Sequence, residues 1–523
     1  MKKIWIAFLS IVSLSPLMGN NINWSLPPVT LSSLSFNATD AQIAMDANGD
    51  LIAVWLENGF VKASTKPVNM NWTSSVSISG TGASYPRIVS DANGNGTAVW
   101  LESGVVKTAS KLFNGSWSSS TALSSTNAAT PHIAVDGTGD VVAVWARNGS
   151  IESSTKLFGL AWSSRVTITS QNAAFPRVSF GGTGINERAV VVWNGTNSGV
   201  NVVYASTKLA TGNWNAQQVI SDISHQAGFP SVAVDLNGNA VAVWYEYDVN
   251  GSVFSNVNVQ TASRPAASGV WSAPMSISAS GMRDPSTLTA RVGFDSTGNA
   301  VALWNLSFDD ETFNIESAIK PVNGQWTAPV DLLSSNLYAM SEDLAVVSFG
   351  DALAAFLFYN GVSQIIQTTE SDVTGFMQNA WAVPNNLSSG MFNAFPHIAA
   401  ALTGNTINAA AVWINYNGVK TTVQALTGTR SVVLPPSNLH VTQSSNFFGV
   451  FTEFFNTVTW NASLDPNLAG YLIYRNGTFI AQVDAGVTQF IDDNRAQNGA
   501  VTYGVAAINN QQSQSKIITV SFP

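Results

Sequence analysis

The chain contains no cysteine, and charged residues make up only 10% of its 523 positions, against a usual share of about 25%. The lack of cysteine excludes disulfides, thiolate metal sites and a cysteine nucleophile. Lysine and arginine number 22 against 31 aspartates and glutamates, which gives a net charge of −9. Because this charge repels a phosphate backbone, we expect no nucleic acid partner.

Residues 1–20 have the pattern of a signal peptide. Lys2 and Lys3 precede an apolar run from Ile4 to Leu17, and small or turn-forming residues follow. The run is too short to span a bilayer as a stable helix, so we expect no membrane span in the mature chain. The short basic leader and the lack of cysteine predict a bacterial protein that is secreted or held on the outer surface of the cell envelope.

Two interleaved tryptophan series mark a repeat in residues 21–430. The first series, which follows small and apolar residues, comprises Trp55, Trp100, Trp145, Trp193, Trp244, Trp304 and Trp413, with Phe356 or Phe358 in the gap. The second series follows a turn and comprises Trp24, Trp72, Trp117, Trp162, Trp214, Trp271, Trp326 and Trp381. The spacing suits a unit of four short strands, and no unit has helical periodicity. The sequence therefore predicts an all-β fold.

Eight such units predict a closed, eight-bladed β-propeller, since a linear array would expose its apolar end faces. The first unit begins with a lone fourth strand, from Trp24 to Ser32, which can complete the last blade and close the ring. Seven blades remain an alternative, because the seventh unit lacks both the Asp turn and the tryptophan of the other units.

These repeats resemble those of bacterial secreted propellers, which have the form Pro-x-Ile-x-x-Asp-x-x-Gly-Asn-x-x-Ala-Val-Trp. The resemblance covers roughly residues 22–428 and implies a shape, but no single function. Residues 431–436 predict a stiff linker. Residues 437–523 resemble a fibronectin type III domain, with Trp460 as its core tryptophan, the strand pair around Tyr471 and a tyrosine-bearing strand at Tyr503. We interpret this domain as a spacer.

The Asp-x-Asn-Gly turns resemble calcium loops, because they place oxygen ligands at alternate positions. The aspartates that begin them are Asp46, Asp91, Asp136, Asp235 and Asp295. The turns lack the later acidic residue that would complete a calcium site, which favours hairpin turns in which Asp bonds its own backbone. We therefore predict no cofactor, with calcium as the alternative.

A polar position four residues before each turn is the candidate ligand site. Its members are Gln42, Arg87, His132, Arg177, Ser231, Arg291 and His397, with the seventh unit unassigned. If the first strand of each unit is innermost, these residues ring the mouth of the central channel. Loops on the same face carry Glu57, Glu102, Arg147 and Glu246, each two residues after its tryptophan. Guanidinium groups there could bind a carboxylate, a sulfate or a polar glycan, or each could pair with a Glu and merely close the ring.

These observations leave three functions open. Our main prediction is a non-catalytic binding or adhesion protein that recognises an extracellular glycan or protein on the axial face. The first alternative is a carbohydrate-active enzyme on the same face, either a sialidase-like hydrolase or a lyase, with His132 beside Glu57 or Glu102 as candidate catalytic groups. The second is a structural envelope protein, in which Arg–Glu pairs would satisfy the ring completely.

Overall fold

The structure, a computed structural model, describes residues 21–522 except 171, 252, 282–288, 308–312, 323, 334–337, 348–349, 373–379, 391 and 512. The predicted signal peptide lies outside the described residues. Within these described ranges, nearly all regular structure is β-strand, with one 3-10 turn at Gly184–Asn186. Among the described residues, no helix is long and apolar enough to cross a membrane.

The first four propeller sheets each contain four antiparallel strands in chain order. Two short N-terminal strands, β1 (Asn23–Trp24) and β2 (Val29–Thr30), precede them. Sheet 1 comprises β3 (Ala38–Met45), β4 (Leu51–Glu57), β5 (Phe60–Lys66) and β6 (Val76–Ser77). Sheet 2 comprises β7 (Ala83–Ser90), β8 (Gly96–Glu102), β9 (Val105–Lys111) and β10 (Thr121–Ala122). Sheet 3 comprises β11 (Ala128–Val135), β12 (Val141–Arg147), β13 (Ser150–Lys156) and β14 (Val166–Thr169). Sheet 4 comprises β15 (Ala174–Gly181), β16 (Arg188–Asn197), β17 (Val200–Leu209) and β18 (Gln218–Val219).

The next four sheets continue the pattern. Sheet 5 comprises β19 (Gln226–Val234), β20 (Ala240–Asn250), β21 (Val253–Arg264) and β22 (Met275–Ser276). Sheet 6 comprises β23 (Ala290–Phe294), β24 (Ala300–Leu306), β25 (Asn314–Lys320) and β26 (Val330–Asp331). Sheet 7 comprises β27 (Tyr338–Val346), β28 (Asp351–Tyr359), β29 (Gln364–Asp372), β30 (Ala380–Trp381) and β31 (Asn385–Asn386). Sheet 8 comprises β32 (Phe392–Thr403), β33 (Thr406–Tyr416) and β34 (Thr421–Ser431), and β1 and β2 pair with β34.

The first strands of these sheets contact one another in cyclic order, and β32 of the last sheet contacts β3 of the first. Inner-strand ends from sheets 1, 2, 7 and 8 also line one cavity of about 250 Å³, so they converge on a common axis. The N-terminal strand completes sheet 8 through the pairs Asn23↔Thr429 and Trp24↔Gly428. The predicted propeller fold and its closure by the N-terminal strand are confirmed.

The first tryptophan series forms the contacts between adjacent sheets. Each of its members is fully buried. Trp100 of sheet 2 packs against Val54, Val61 and Ala63 of sheet 1. Trp55 of sheet 1 packs in the same way against sheet 8. Phe356 occupies the corresponding place in sheet 7, against residues of sheet 6. Each sheet therefore covers an apolar face of its neighbour, which is how a propeller buries both faces of every blade.

The turn between the first and second strands is set by its aspartate. In sheet 2 the Asp91 carboxylate accepts hydrogen bonds from the backbone N–H groups of Asn93 and Asn95, each at 2.9 Å. Gly94 has a φ of 79°, a conformation that favours glycine. The hairpin interpretation of these turns is therefore confirmed for Asp91, and the other four aspartates accept equivalent backbone bonds.

Two sheets packed around one core make up the C-terminal region. One contains β35 (Ser437–Phe447), β36 (Thr452–Asn461) and β39 (Gln489–Arg495), and the other contains β37 (Leu468–Arg475), β38 (Thr478–Asp484), β40 (Val501–Asn509) and β41 (Ile518–Phe522). Trp460, Tyr471 and Tyr503 lie in this core. Lys516 connects the region to sheet 7, because its ammonium group contacts the Asp351 carboxylate at 3.0 Å and the Gly350 carbonyl oxygen at 3.0 Å.

Candidate functional site

One polar position recurs on every inner strand, opposite the residue that precedes the buried aromatic residue of the second strand. Its members, which we call the axial ring, are Gln42, Arg87, His132, Arg177, Ser231, Arg291, Asp343 and His397. Asp343 fills the seventh place, which the sequence left unassigned, since it pairs with Ala355 just before Phe356. The ring side chains are partly accessible to solvent.

Four ring residues from consecutive sheets form one hydrogen-bonded chain. Arg291 Nε lies 3.3 Å from Asp343 Oδ1. Asp343 Oδ2 lies 3.1 Å from His397 Nδ1, and His397 Nε2 lies 2.8 Å from Gln42 Nε2. In the uncharged form of the ring, the Nδ1–H donates to the carboxylate, and the Nε2 lone pair accepts the Gln42 amide hydrogen. His397 is therefore oriented as a base, with its basic nitrogen turned away from Asp343.

The charges of this chain lower the pKa of Asp343. Burial alone would raise that pKa, but the hydrogen bond from His397, the charge of His397 when its ring is protonated, and the charge of Arg291 outweigh it. Asp343 is therefore ionised at neutral pH and can hold the His397 ring in place.

Arg87 and Arg177 have no carboxylate partner at ion-pair distance among the described residues. Their side chains donate to the carbonyl oxygens of the preceding prolines, at 2.9 Å for Arg87 and 3.1 Å for Arg177. Burial and then the charges of Arg87 and Arg291 lower the pKa of Arg177 to about 9. The three guanidinium groups thus repel one another, although they lie on alternate sheets. Arg87 and Arg177 therefore lack the complete Arg–Glu pairing that a purely structural ring would require.

His132 lies among the three arginines. Burial and then the charges of Arg177, Arg87 and Arg291 hold the pKa of His132 well below its usual value, so the imidazole is neutral. The Val178 N–H donates to His132 Nδ1 at 3.3 Å. The neutral ring therefore carries its proton on Nε2 and offers an uncharged donor. Glu57 and Glu102, which we predicted beside it, bind elsewhere.

A β-bulge precedes the ring position in most sheets and places aromatic residues at the same end of the channel. The register shifts between Ser84 and Arg87, for example, and Tyr85 has a φ of 51°. The residues that share this left-handed conformation are Asp40, Tyr85, Thr130, Phe175, Phe229 and Phe395. Tyr85, Phe175 and Phe395 are 50%, 46% and 61% exposed. Such strain in bulky residues costs about 1–3 kcal/mol each and is typical of functional sites.

The structure does not bring the four loop residues to the axial ring. Glu57 accepts the Trp55 indole N–H at 3.1 Å, and Glu102 accepts the Trp100 indole N–H at 3.2 Å. Arg147 pairs with Glu152 at 3.2 Å, and Glu246 accepts from Gln260 at 3.1 Å. Strand geometry explains why Glu57 and Glu102 do not reach the axial ring, because residues two apart on a strand face the same side. Each therefore follows its tryptophan into the blade.

In sheets 3 and 6, which lack this Glu, the third strand supplies the same bond. Glu152 faces Trp145 across the strand pair and accepts its indole N–H at 2.9 Å. Glu316 does the same for Trp304, also at 2.9 Å. A carboxylate acceptor for the buried indole is thus supplied from either of two positions, which identifies these carboxylates as parts of the blades.

Replacing Glu316 with Gln is expected to change how stability depends on pH. Burial raises the pKa of Glu316 from 4.5 to about 7, so the folded state binds a proton that the unfolded chain releases near pH 4.5. Wild-type stability is therefore lost as pH rises from 4.5 to 7, by at most about 3 kcal/mol. The Gln variant should escape this loss, as measured by urea unfolding across that range. Glu102→Gln is the control. Hydrogen bonds lower the pKa of Glu102, so its carboxylate adds stability as pH rises, and the Gln variant should lose that gain.

Glu342 and Tyr245, which the sequence did not reveal, lie next to the ring. Glu342 is 1% exposed, and Thr289 Oγ1 donates to one of its carboxylate oxygens at 2.5 Å. Burial raises the pKa of Glu342 to about 7. Tyr245 donates its hydroxyl to the carbonyl oxygens of Thr289 and Asn305. Glu342 takes the place that proline has in other repeats. This charged residue before the ring position was the feature of the sequence that could have revealed it.

Three carboxylates that could hold a metal lie outside the axial ring. They belong to Asp136, Asp140 and Glu187, and one oxygen of each lies within 4.8 Å of the others. Asp136 and Asp140 come from a turn of sheet 3, whereas Glu187 precedes β16 of sheet 4.

Comparison with known proteins reveals no matching family model and no matching curated protein. The fold resembles solved structures at low identity. A polysaccharide lyase, Uly1, is 8% identical, covers 64% of this chain and 88% of its own, and has a TM-score of 0.39. An endo-arabinase from Bacteroides thetaiotaomicron is 14% identical, covers 49% and 98%, and has a TM-score of 0.30. A Penicillium chrysogenum α-L-arabinanase, complexed with arabinobiose, is 11% identical, covers 66% and 98%, and has a TM-score of 0.33.

All three proteins are carbohydrate-active enzymes, and this finding contradicts our prediction of a non-catalytic binding or adhesion protein. That prediction gave the axial face only groups that recognise a ligand. It overlooked the Asp343–His397 pair, because the seventh repeat was too degenerate to align.

Proposed function

We propose that the chain is a carbohydrate-active enzyme of the lyase type, acting at the axial ring on glycans that contain uronic acids. The observation that carries the proposal is the composition of the ring. Three arginines belong to the same ring of partly exposed residues in which Asp343 contacts Arg291 and His397. Uronate elimination needs both features, because the substrate carboxylate must be neutralised before its neighbouring carbon can lose a proton.

The residues would divide the reaction as follows. Arg87 and Arg177, which lack carboxylate partners among the described residues, bind the uronate carboxylate and stabilise the charge that develops on it. The substrate displaces the Gln42 amide from His397 Nε2, and this nitrogen then takes the proton from the carbon next to that carboxylate. The electron pair forms a carbon–carbon double bond, and the glycosidic carbon–oxygen bond breaks. The leaving oxygen then takes the proton back from His397, so no other reactant is consumed.

The rim of the channel supports a sugar substrate. Exposed Tyr85, Phe175 and Phe395 lie two positions before their ring residues, toward the strand ends that adjoin the turn into the third strand. Flat aromatic faces beside polar groups are typical of ligand sites that must hold an amphipathic molecule. Hydrolysis is less well supported, since it commonly uses two carboxylates flanking the bond, whereas Asp343 is committed to Arg291 and His397.

The finer architecture belongs to the same proposal. We propose eight blades, because eight sheets contact one another in cyclic order. The strand orders β35-β36-β39 and β38-β37-β40-β41 support a fibronectin type III-like domain after residue 436. We also propose an extracellular or envelope location, which the leader and a polymeric glycan substrate support.

Incubating residues 21–523 with uronate polymers tests the proposed activity, with neutral arabinan as the comparison substrate. We expect the ultraviolet absorbance of an unsaturated uronate product from the uronate polymers alone. Arg177→Ala should lower kcat by about 10²-fold. Arg147→Ala is the matched control, because Arg147 pairs with Glu152 away from the ring and its loss should leave turnover unchanged. New reducing ends without the absorbance would indicate hydrolysis instead, and turnover of none of these polymers would contradict the proposal.

A further inference from the structure

The turn at Asp136 differs from the other aspartate turns in one respect. In the turns at Asp91, Asp235 and Asp295, an asparagine four residues later donates its side-chain N–H to the second carboxylate oxygen of the aspartate, at 2.7, 2.8 and 2.8 Å. In the turn at Asp46, Asn48 donates to that oxygen at 3.2 Å. Every one of these four aspartates thus has both oxygens satisfied.

The second oxygen of Asp136 has no such donor. The residue four positions later is Asp140, whose ionised side chain can only accept hydrogen bonds. Asp136 is 5% exposed, and its Oδ2 atom is buried without a hydrogen-bond partner. A buried acceptor left in this state costs free energy, and the cost is larger for a charged group. A cation or a hydrogen-bond donor bound at this place would remove that cost.

The neighbouring sheet brings a third acceptor to the same place. Each turn packs against the next one around the ring, as shown by a Cβ added to Gly139, which would lie 3.0 Å from Asp91 Oδ2. At the next step a longer segment stands where that glycine would be, and it presents the Glu187 carboxylate. The Thr138 hydroxyl lies 2.9 Å from Asp136 Oδ1 and 3.2 Å from Glu187 Oε1. No described lysine or arginine forms an ion pair with any of the three carboxylates.

We propose that Asp136, Asp140 and Glu187 bind a divalent cation, calcium, which joins sheet 3 to sheet 4. The atoms that could bind a metal here are all oxygens, which are the ligands of hard cations. The three carboxylates lie close enough to share one ion. Glu187 is the later acidic ligand that the turn sequences lack, and it comes from the adjacent repeat. The site is separate from the axial ring, so it is independent of the proposed lyase activity.

Thermal unfolding of the purified chain in chelator, in CaCl2 and in NaCl of equal ionic strength tests this site, together with calorimetric titration of CaCl2. We expect CaCl2 alone to raise the melting temperature by a few degrees and one calcium to bind per chain. Asp140→Asn recreates the turn found at Asp91, because the new amide can donate to Asp136 Oδ2. This variant should melt above wild type in chelator and lose most of the calcium response.

Asp50→Asn is the matched control. Asp50 holds the position of Asp140 in the turn of sheet 1, and each accepts a backbone N–H at 2.6 Å, but Asn48 already satisfies Asp46 there. This variant should keep the full calcium response, whereas Glu187→Gln should weaken it. An equal shift in NaCl, no calcium heat with wild type, or an undiminished response in Asp140→Asn would each overturn the proposal.

Discussion

His397→Ala is expected to lower kcat for uronate elimination by about 10²–10⁴-fold, the usual contribution of a general base. The variant removes the nitrogen that takes the substrate proton, while Arg291 still pairs with Asp343. Steady-state turnover measured by product absorbance checks the prediction, and the melting temperature should change little. His225→Ala is the control, because His225 contacts Asp248 outside the ring. Full activity in His397→Ala would remove this residue from the mechanism.

Asp343→Asn separates positioning from chemistry at the same place. The amide can no longer fix the proton of His397 on Nδ1, so part of the population presents the wrong nitrogen to the substrate. We expect a smaller loss of kcat than in His397→Ala, with the acidic limb of the pH–rate profile displaced, because that limb reports the protonation of the base. A role confined to structure would lower the melting temperature and leave the pH profile of the remaining activity unchanged.

Trp55→Ala and Trp100→Ala are each expected to lower the free energy of unfolding by about 3–5 kcal/mol, the cost of emptying a buried aromatic site. The two variants together test ring closure. Trp100 packs against the preceding sheet in the chain, whereas Trp55 packs against sheet 8 at the far end of the repeats. In an open array Trp55 would lie on an exposed end face and its loss would cost little. Urea unfolding measures both changes.

Trp117→Ala provides the comparison within the second series. Trp117 is half-buried at the edge of the same apolar cluster that contains Trp100, so its truncation leaves a site that water can enter. The loss of stability should be clearly smaller than for Trp100. Equal losses in the two variants would show that burial does not distinguish the series.

The repeat alone was enough to predict the blades and most of the axial ring. Buried tryptophans and aspartate turns recur in the sequence because each blade must meet the same packing and turn requirements. Asp343 escaped because sheet 7 keeps the backbone turn with Val347 in place of the aspartate. Its partners could not be predicted, since the contacts with Arg291 and His397 cross between sheets.

Strand alternation and packing between sheets place Glu57, Glu102 and Glu187. The orientation of Glu57 and Glu102 could have been predicted from the sequence, because strand alternation places each on the side of its tryptophan. Their closeness in sequence to a loop led us instead to predict that they face the channel. The position of Glu187 beside Asp136 and Asp140 could not have been predicted from the sequence. Glu187 precedes β16, and only the packing of one turn against the next brings it to Asp136 and Asp140.

The closing sheet also constrains the order in which the chain can fold. Strands β1 and β2 leave the ribosome first, yet their partner β34 is made after every other propeller strand. Until then the edge they will occupy does not exist, and afterwards that edge can pair with the equivalent segment of another chain. A propeller closed in this way is exposed to strand exchange during assembly, because residues 22–32 can complete sheet 8 of another chain as well as that of their own.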